Sequence, residues 1–131
     1  MGSEFTFYDY VNASGENKIR SWLDGQTVKV RAKFDTWLRN LEATPIGLWG
    51  EPYVSQLHGE CNQLFEIKPE VQGVQYRLLG FHGPARDPTL VFGAREVGGK
   101  WQPPSTCNQA QKRRAIVEVD SPRRRRKHEF G

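Results

Sequence analysis

Residues 64–95 read LFEIKPEVQGVQYRLLGFHGPARDPTLVFGAR. Three runs rich in apolar and aromatic residues, 64–68, 74–83 and 89–95, are separated by PEVQG and GPARDP. Glycine supplies positive φ, proline fixes φ, and aspartate bonds its own backbone, so both separators read as hairpin connections. The stretch is therefore expected to form an antiparallel meander.

On the N-terminal side, residues 5–11 are aromatic and β-branched and read as a first strand, followed by a turn at 12–15. Ile19, Trp22 and Leu23 then stand at i, i+3 and i+4, which predicts a short amphipathic helix over 15–24 with Ser14 as its N-cap and Gly25 at its end. A second helix begins near Thr27. Its Val30, Phe34, Trp37, Leu38 and Leu41 form one apolar stripe, with Lys29, Arg31, Lys33 and Arg39 on the other faces. The stretch 44–59, with two prolines and three glycines, reads as a surface connection. On the C-terminal side, 98–104 reads as a loop and 105–119 as a third helix capped by Ser105 or Thr106. Strands segregated from helices imply an α+β class, in which the helices cover one sheet face and leave the other available.

The chain has 131 residues, of which 37% are hydrophobic and 26% charged, a composition that fits a single domain spanning 1–131. No apolar stretch approaches the roughly 18 residues needed to cross a bilayer. The start, MGSEFTFYDY, lacks a basic region followed by an apolar one, so a cytoplasmic setting is expected; residues 1–4 read as translated cloning sites. Cys61 and Cys107 have no second cysteine or histidine at metal-ligand spacing and read as buried structural thiols. The net charge of +4 is uneven: residues 120–131 set Arg123, Arg124, Arg125, Arg126 and Lys127 against only Asp120 and Glu129. Such a basic segment seeks phosphate, or is a solvated tail.

No GxSxG, HExxH, P-loop or Cys-x-x-Cys motif is present, which leaves classical hydrolase, zinc and nucleotide-binding readings without support. The chemistry must come from polar residues placed in strands. Arg77 stands between Tyr76 and Leu78 in an otherwise apolar run, where it needs solvent or a charged partner. A hairpin register in which paired numbers sum to about 143 would put Glu66 opposite it as a cross-strand ion pair. Arg77 can equally point from an open sheet face at a phosphate, bound bidentately. Lys68, at a strand end, can reach the same face or simply face solvent. Arg95 and Lys100 flank the Gly98-Gly99 turn, whose amides and local cations suit an RNA backbone as well as a plain surface turn. His82, beside Gly83 and Pro84, reads as a turn residue. In an extended RRRRKHEF segment, Arg124, Arg126, His128 and Phe130 share one side; if that segment docks as a last strand, His128 can act as an acid or base near neutral pH.

In order along the chain, KIRSWLDG, VKVRAKFDTWLRNLE, QLFEIK, VQYRLLGFHGP and TLVFGAREVGGKW, with KHEF at the end, resemble the RelE/HigB superfamily of type II toxins, most of all its phage-derived, HigB-like branch. The resemblance spans about residues 6–130. It implies a RelE-like α+β fold, with two N-terminal helices packed on a small antiparallel sheet, a further C-terminal helix and a terminal strand.

It also implies the toxin of a toxin–antitoxin pair, a ribosome-dependent mRNA endonuclease that needs no metal or other cofactor. The RNA 2'-hydroxyl would attack the adjacent phosphate, with Lys68 and Arg77 at the scissile phosphate and His128 as the acid or base. Arg95, Lys100, Arg124 and Arg126 would hold RNA. Implied partners are mRNA, the ribosome and a cognate antitoxin, and no membrane. The chain departs from the family pattern at Arg95-Glu96, where a basic pair is usual, and at Lys68, where arginine is usual. Two alternatives stand beside the endonuclease: a noncatalytic nucleic-acid or ribosome-binding module, and a ParE-like toxin acting on a protein.

Overall fold

The computed structural model of the chain describes residues 5–130, so the residues read as cloning sites lie outside it. Strand β1 (Tyr8–Tyr10) leads into helices α1 (Lys18–Asp24) and α2 (Val28–Glu42). Strands β2 (Val54–Gln56), β3 (Phe65–Ile67), β4 (Glu70–Val71), β5 (Val74–His82), β6 (Pro88–Val97) and β7 (Lys100–Gln102) follow, then helices α3 (Thr106–Val119) and α4 (Ser121–Arg124) and strand β8 (Arg125–Lys127).

Local chemistry accounts for the boundaries. Asn17, not Ser14, caps α1, its side-chain oxygen accepting from the amides of Ile19 and Arg20. Thr27 caps α2 in the same way through the Val30 amide. The Gln72-Gly73 and Gly98-Gly99 pairs all take positive φ, the geometry of two-residue hairpin turns that join β4 to β5 and β6 to β7.

The sheet has eight strands in the order β2-β3-β5-β6-β1-β8, with β4 also on β5 and β7 also on β6. The expected fold, two N-terminal helices on a small antiparallel sheet with one open face, is overturned. The sheet is mixed, because β1 runs parallel to β6 through Tyr8↔Thr89 and Asp9↔Leu90. Neither face is open. Helices α1 and α2 bury Ile19, Leu23, Val30, Phe34, Leu38 and Leu41 with Phe65, Ile67, Leu78 and Leu90 on one side. Helix α3 buries Cys107, Ala110 and Val117 with Leu64, Leu79, Phe81, Phe92 and Ala94 on the other. Alternate residues of β5 feed the two cores, as the pleat requires. The connection expected over 44–59 contributes β2, and the loop expected over 98–104 contains β7.

Two further expectations are corrected. Cys61 and Cys107 are not free thiols but a disulfide, which ties the first turn of α3 to the segment before β3. His82 is not in the turn but ends β5, its ring 5.1 Å from Phe65 and 5.8 Å from Trp49. The basic C-terminal segment docks: β8 pairs antiparallel with β1, and Phe130 packs under the Arg39 guanidinium, 4.4 Å away. No helix among the described residues is long and apolar enough to cross a membrane.

Candidate functional site: a cleft at the edge of β6

Strand β6 pairs with β5 along nearly its whole length, from Gln75↔Glu96 to His82↔Pro88. On its other side it meets β1 only at Thr89 and Leu90, and β7 only from Arg95 to Val97. Among the described residues, 91–94 therefore have no strand on that side. A cleft of about 600 Å³ opens there, between α1 and α3. The register of β5 and β6 slips at the same place, with Leu79 opposite Phe92 and Gly80 opposite Leu90, so Val91 is a bulged extra residue.

Helix α1 and the turn after it supply one wall, through Lys18, Ser21 and Trp22 of the helix and Gln26 of the turn. The Trp22 indole sits directly over Gly93: a Cβ at position 93 would lie 2.1 Å from Trp22 Cδ2. Glycine inside a buried strand commonly marks such a close approach. Arg113 of α3 supplies the opposite wall. Its Nη1 donates to the Val91 carbonyl at 2.9 Å, and its guanidinium lies 4.9 Å from the Tyr10 ring centre and 5.0 Å from that of Phe92. Burial pulls its pKa below the ordinary arginine value, and among the described residues no carboxylate pairs with it. Arg95, exposed and without an ion pair among the described residues, and Gln102, its neighbour on β7, close the far end with Tyr76.

Among the described residues, no Asp, Glu, His or Cys lines the cleft. Its donors are three cations, two amides, the Ser21 and Tyr76 hydroxyls and the Trp22 indole N–H, with the rings of Trp22, Tyr76 and Phe92 among them. Such a lining suits an anion that carries a flat apolar group, with the Gln26 and Gln102 oxygens and the Ser21 and Tyr76 hydroxyls as acceptors. Among the described residues no group of three or more His, Cys, Asp and Glu side chains could hold a metal ion.

The sequence-assigned catalytic residues are not brought together. Arg77 is buried on the α3 face, with Nε 3.1 Å from Glu66 Oε1 and Nη2 3.6 Å from Glu96 Oε1. Its two outer nitrogens donate to the Tyr76 carbonyl and to Gln75 Oε1. The Nε–Oε1 contact is a charge contact without hydrogen-bond alignment, and among the described residues neither atom has a hydrogen-bond partner. The register places Glu66 opposite Leu79, two residues from the expected position, so the ion pair is diagonal. Burial raises the Glu66 pKa, with Arg77 and Lys68 pulling it the other way. Lys68 donates to Glu51 at 2.7 Å, and with Ser55 it holds that carboxyl below the usual range.

His128 lies beyond β1 on the opposite face, buried, with Nδ1 2.8 Å from Asp9 Oδ1. Asp9 Oδ2 also accepts from Asn17, the cap of α1, so His128 closes a buried network that fastens the C-terminal segment to β1. Of the RNA-binding candidates, only Arg95 lines the cleft. Lys100 is exposed one hairpin further on; Arg126 approaches the Gly15 carbonyl at 3.5 Å, and Arg124, in α4, accepts the Val11 amide through its own carbonyl.

Sequence reasoning missed Lys18, Trp22, Gln26, Gln102 and Arg113 as site residues. Trp22 passes for core stripe, and Arg113 stands in a Lys112-Arg113-Arg114 run that looks like a solvated helix face. The one legible signal was Gly93 in the middle of VFGAR. Comparison of the chain with protein-family models, with curated proteins and with solved structures gave no match.

Proposed function

We propose that this protein is a single-stranded RNA-binding module that takes its ligand in the cleft beside β6. The observation that carries the reading is the lining: Lys18, Arg95 and Arg113 converge with Trp22, Tyr76 and Phe92, and the one carboxylate paired with them among the described residues, Glu16 on Lys18, lies outside the cleft lining. Sequence-tolerant binding of single strands uses this combination, with cations on the phosphates and aromatic rings against the bases. The resemblance to type II toxins supplies a setting in which the RNA is mRNA on the ribosome and an antitoxin is the partner. A cytoplasmic location belongs to that setting. The Cys61–Cys107 disulfide is uncommon in such a compartment, so trapping the pair's redox state in cells by alkylation tests this part of the reading.

The endonuclease reading has one observation in its favour. Glu66, its pKa raised by burial, stands beside Arg77 and near Lys68, a proton acceptor next to two cations of the kind that 2'-hydroxyl attack at a phosphate requires. Against it, Glu66 and Arg77 are both buried, and His128 is engaged by Asp9. Incubation with end-labelled single-stranded RNA, alone and on translating ribosomes, separates the two. Salt-sensitive binding that leaves the RNA intact, and that weakens in Arg95→Ala, supports the module. New RNA ends lost in Glu66→Gln support the nuclease, and no binding in either setting removes both.

A further inference from the structure

The cleft is short. It is bounded at one end by β1 and at the other by β7, and its volume of about 600 Å³ falls in the range of small-ligand pockets, roughly 300–1,000 Å³. A track for an extended strand would run on past both ends; this one holds about one nucleotide unit. Its two sides differ in chemistry. The α3 side presents Arg113, a half-buried guanidinium with one donor group committed among the described residues, to the Val91 carbonyl, and within 5.0 Å of the Tyr10 and Phe92 ring centres. The α1 side presents the Trp22 and Tyr76 rings with the Gln26 and Gln102 amides. Gln26 Nε2 donates to the Trp22 carbonyl at 2.9 Å, which fixes the amide and leaves its oxygen to accept.

We propose that the cleft is a one-nucleotide subsite that takes the phosphate of a nucleotide on Arg113 and its base on the Trp22 side, where the two glutamines meet the base edge. This rests on the RNA reading and adds the orientation. A planar guanidinium with free outer N–H groups matches phosphate oxygens, whereas a hydrated lysine on a flexible stem does not fix direction. Single-stranded RNA is read where unstacked bases lie against aromatic side chains and expose their edges to amides. Gly93 is what allows the arrangement, since any larger residue there displaces the indole.

The test is calorimetric titration of the intact protein with adenosine 5'-monophosphate, adenosine, and inorganic phosphate, alongside a short single-stranded RNA. The expected result is that the monophosphate binds at least tenfold more tightly than adenosine or phosphate, and that Arg113→Gln removes this advantage while adenosine binding is unchanged. If Arg113→Gln does not fold, the Trp22 indole N–H resonance of the wild type decides, because it must shift on saturation with the monophosphate. RNA binding without monophosphate binding overturns the subsite and spares the RNA reading. Monophosphate binding without RNA binding overturns the RNA reading and spares the subsite. Phosphate binding as tight as the monophosphate, or an unmoved indole resonance, overturns the proposed orientation.

Discussion

Removing cleft cations one at a time should lower the salt dependence of RNA binding in countable steps. Binding to a single strand releases counterions, so log K falls with log salt at a slope of about −0.7 per phosphate neutralised. With the phosphate of the nucleotide in the cleft on Arg113 and the two flanking phosphates of the strand on Lys18 and Arg95, the slope is about −2. Between 50 and 200 mM salt the affinity should therefore fall roughly 20-fold. Arg95→Ala, at an exposed side chain without an ion pair among the described residues, should reduce the slope by about 0.7 and leave folding unchanged. Lys18 already contacts Glu16 at 3.3 Å, so Lys18→Ala should give a smaller step. The assay is fluorescence anisotropy of a labelled oligonucleotide across a salt series. A slope that stays the same in the Arg95→Ala, Arg113→Gln double variant, with the fold intact, would refute the placement of RNA in the cleft.

Three other outcomes follow from the same geometry. Gly93→Ala drives a methyl group into the Trp22 ring, an overpacking that should lower stability by about 1–3 kcal/mol in urea titration and abolish RNA binding beyond that loss. Reducing Cys61–Cys107, which closes a loop with a sequence separation of 46, should lower stability by up to about 4 kcal/mol, measured as the shift in urea midpoint with and without reductant. Glu66 has a folded-state pKa raised above 4.5 by burial, so the stability that comes from its protonated form is fully present below 4.5 and lost as pH rises through the folded value. Glu66→Gln should therefore gain relative to wild type between pH 4.5 and 7 in paired unfolding titrations. A relative loss over that window would show that Arg77 outweighs burial.

The strands and helices were legible where periodicity is strong. The stripe Val30, Phe34, Leu38 and Leu41 reads as a helix face and is one, and the runs around Arg77 and Phe92 read as strands and are the two longest. The arrangement was not legible for three physical reasons. Pairing partners are chosen by long-range burial, so nothing in Tyr8–Tyr10 announces a parallel partner in β6. Helix α3 has a weak apolar stripe, with Ala110 and Val117 as its buried contacts beside Thr106 and Cys107, so the sequence left one face of the sheet bare when it is covered. A disulfide across 46 residues leaves no local trace.

The candidate site shows the same division. A lone arginine in an apolar strand needs solvent or a charged partner; the sequence left the ion pair and the phosphate contact equally open, and Arg77 is buried with Glu66 and Glu96. The alternation of the C-terminal segment left a docked strand and a solvated tail both open; the segment docks, and His128 is buried against Asp9. The cleft arises because β1 and β7 both stop short along β6, and the lengths of two separate strands jointly set it. No local pattern encodes that gap, and the glycine beneath Trp22 is its single trace in the sequence.

The most direct measurement is photo-crosslinking of a 4-thiouridine single-stranded RNA to the intact protein, with the attachment sites mapped by mass spectrometry. RNA held beside β6 should crosslink to Trp22, Tyr76 or Phe92, and crosslinks should vanish in Arg113→Gln while the fold is retained. Crosslinks confined to the strand Arg125–Lys127, or spread over the surface without preference for the cleft, would contradict it.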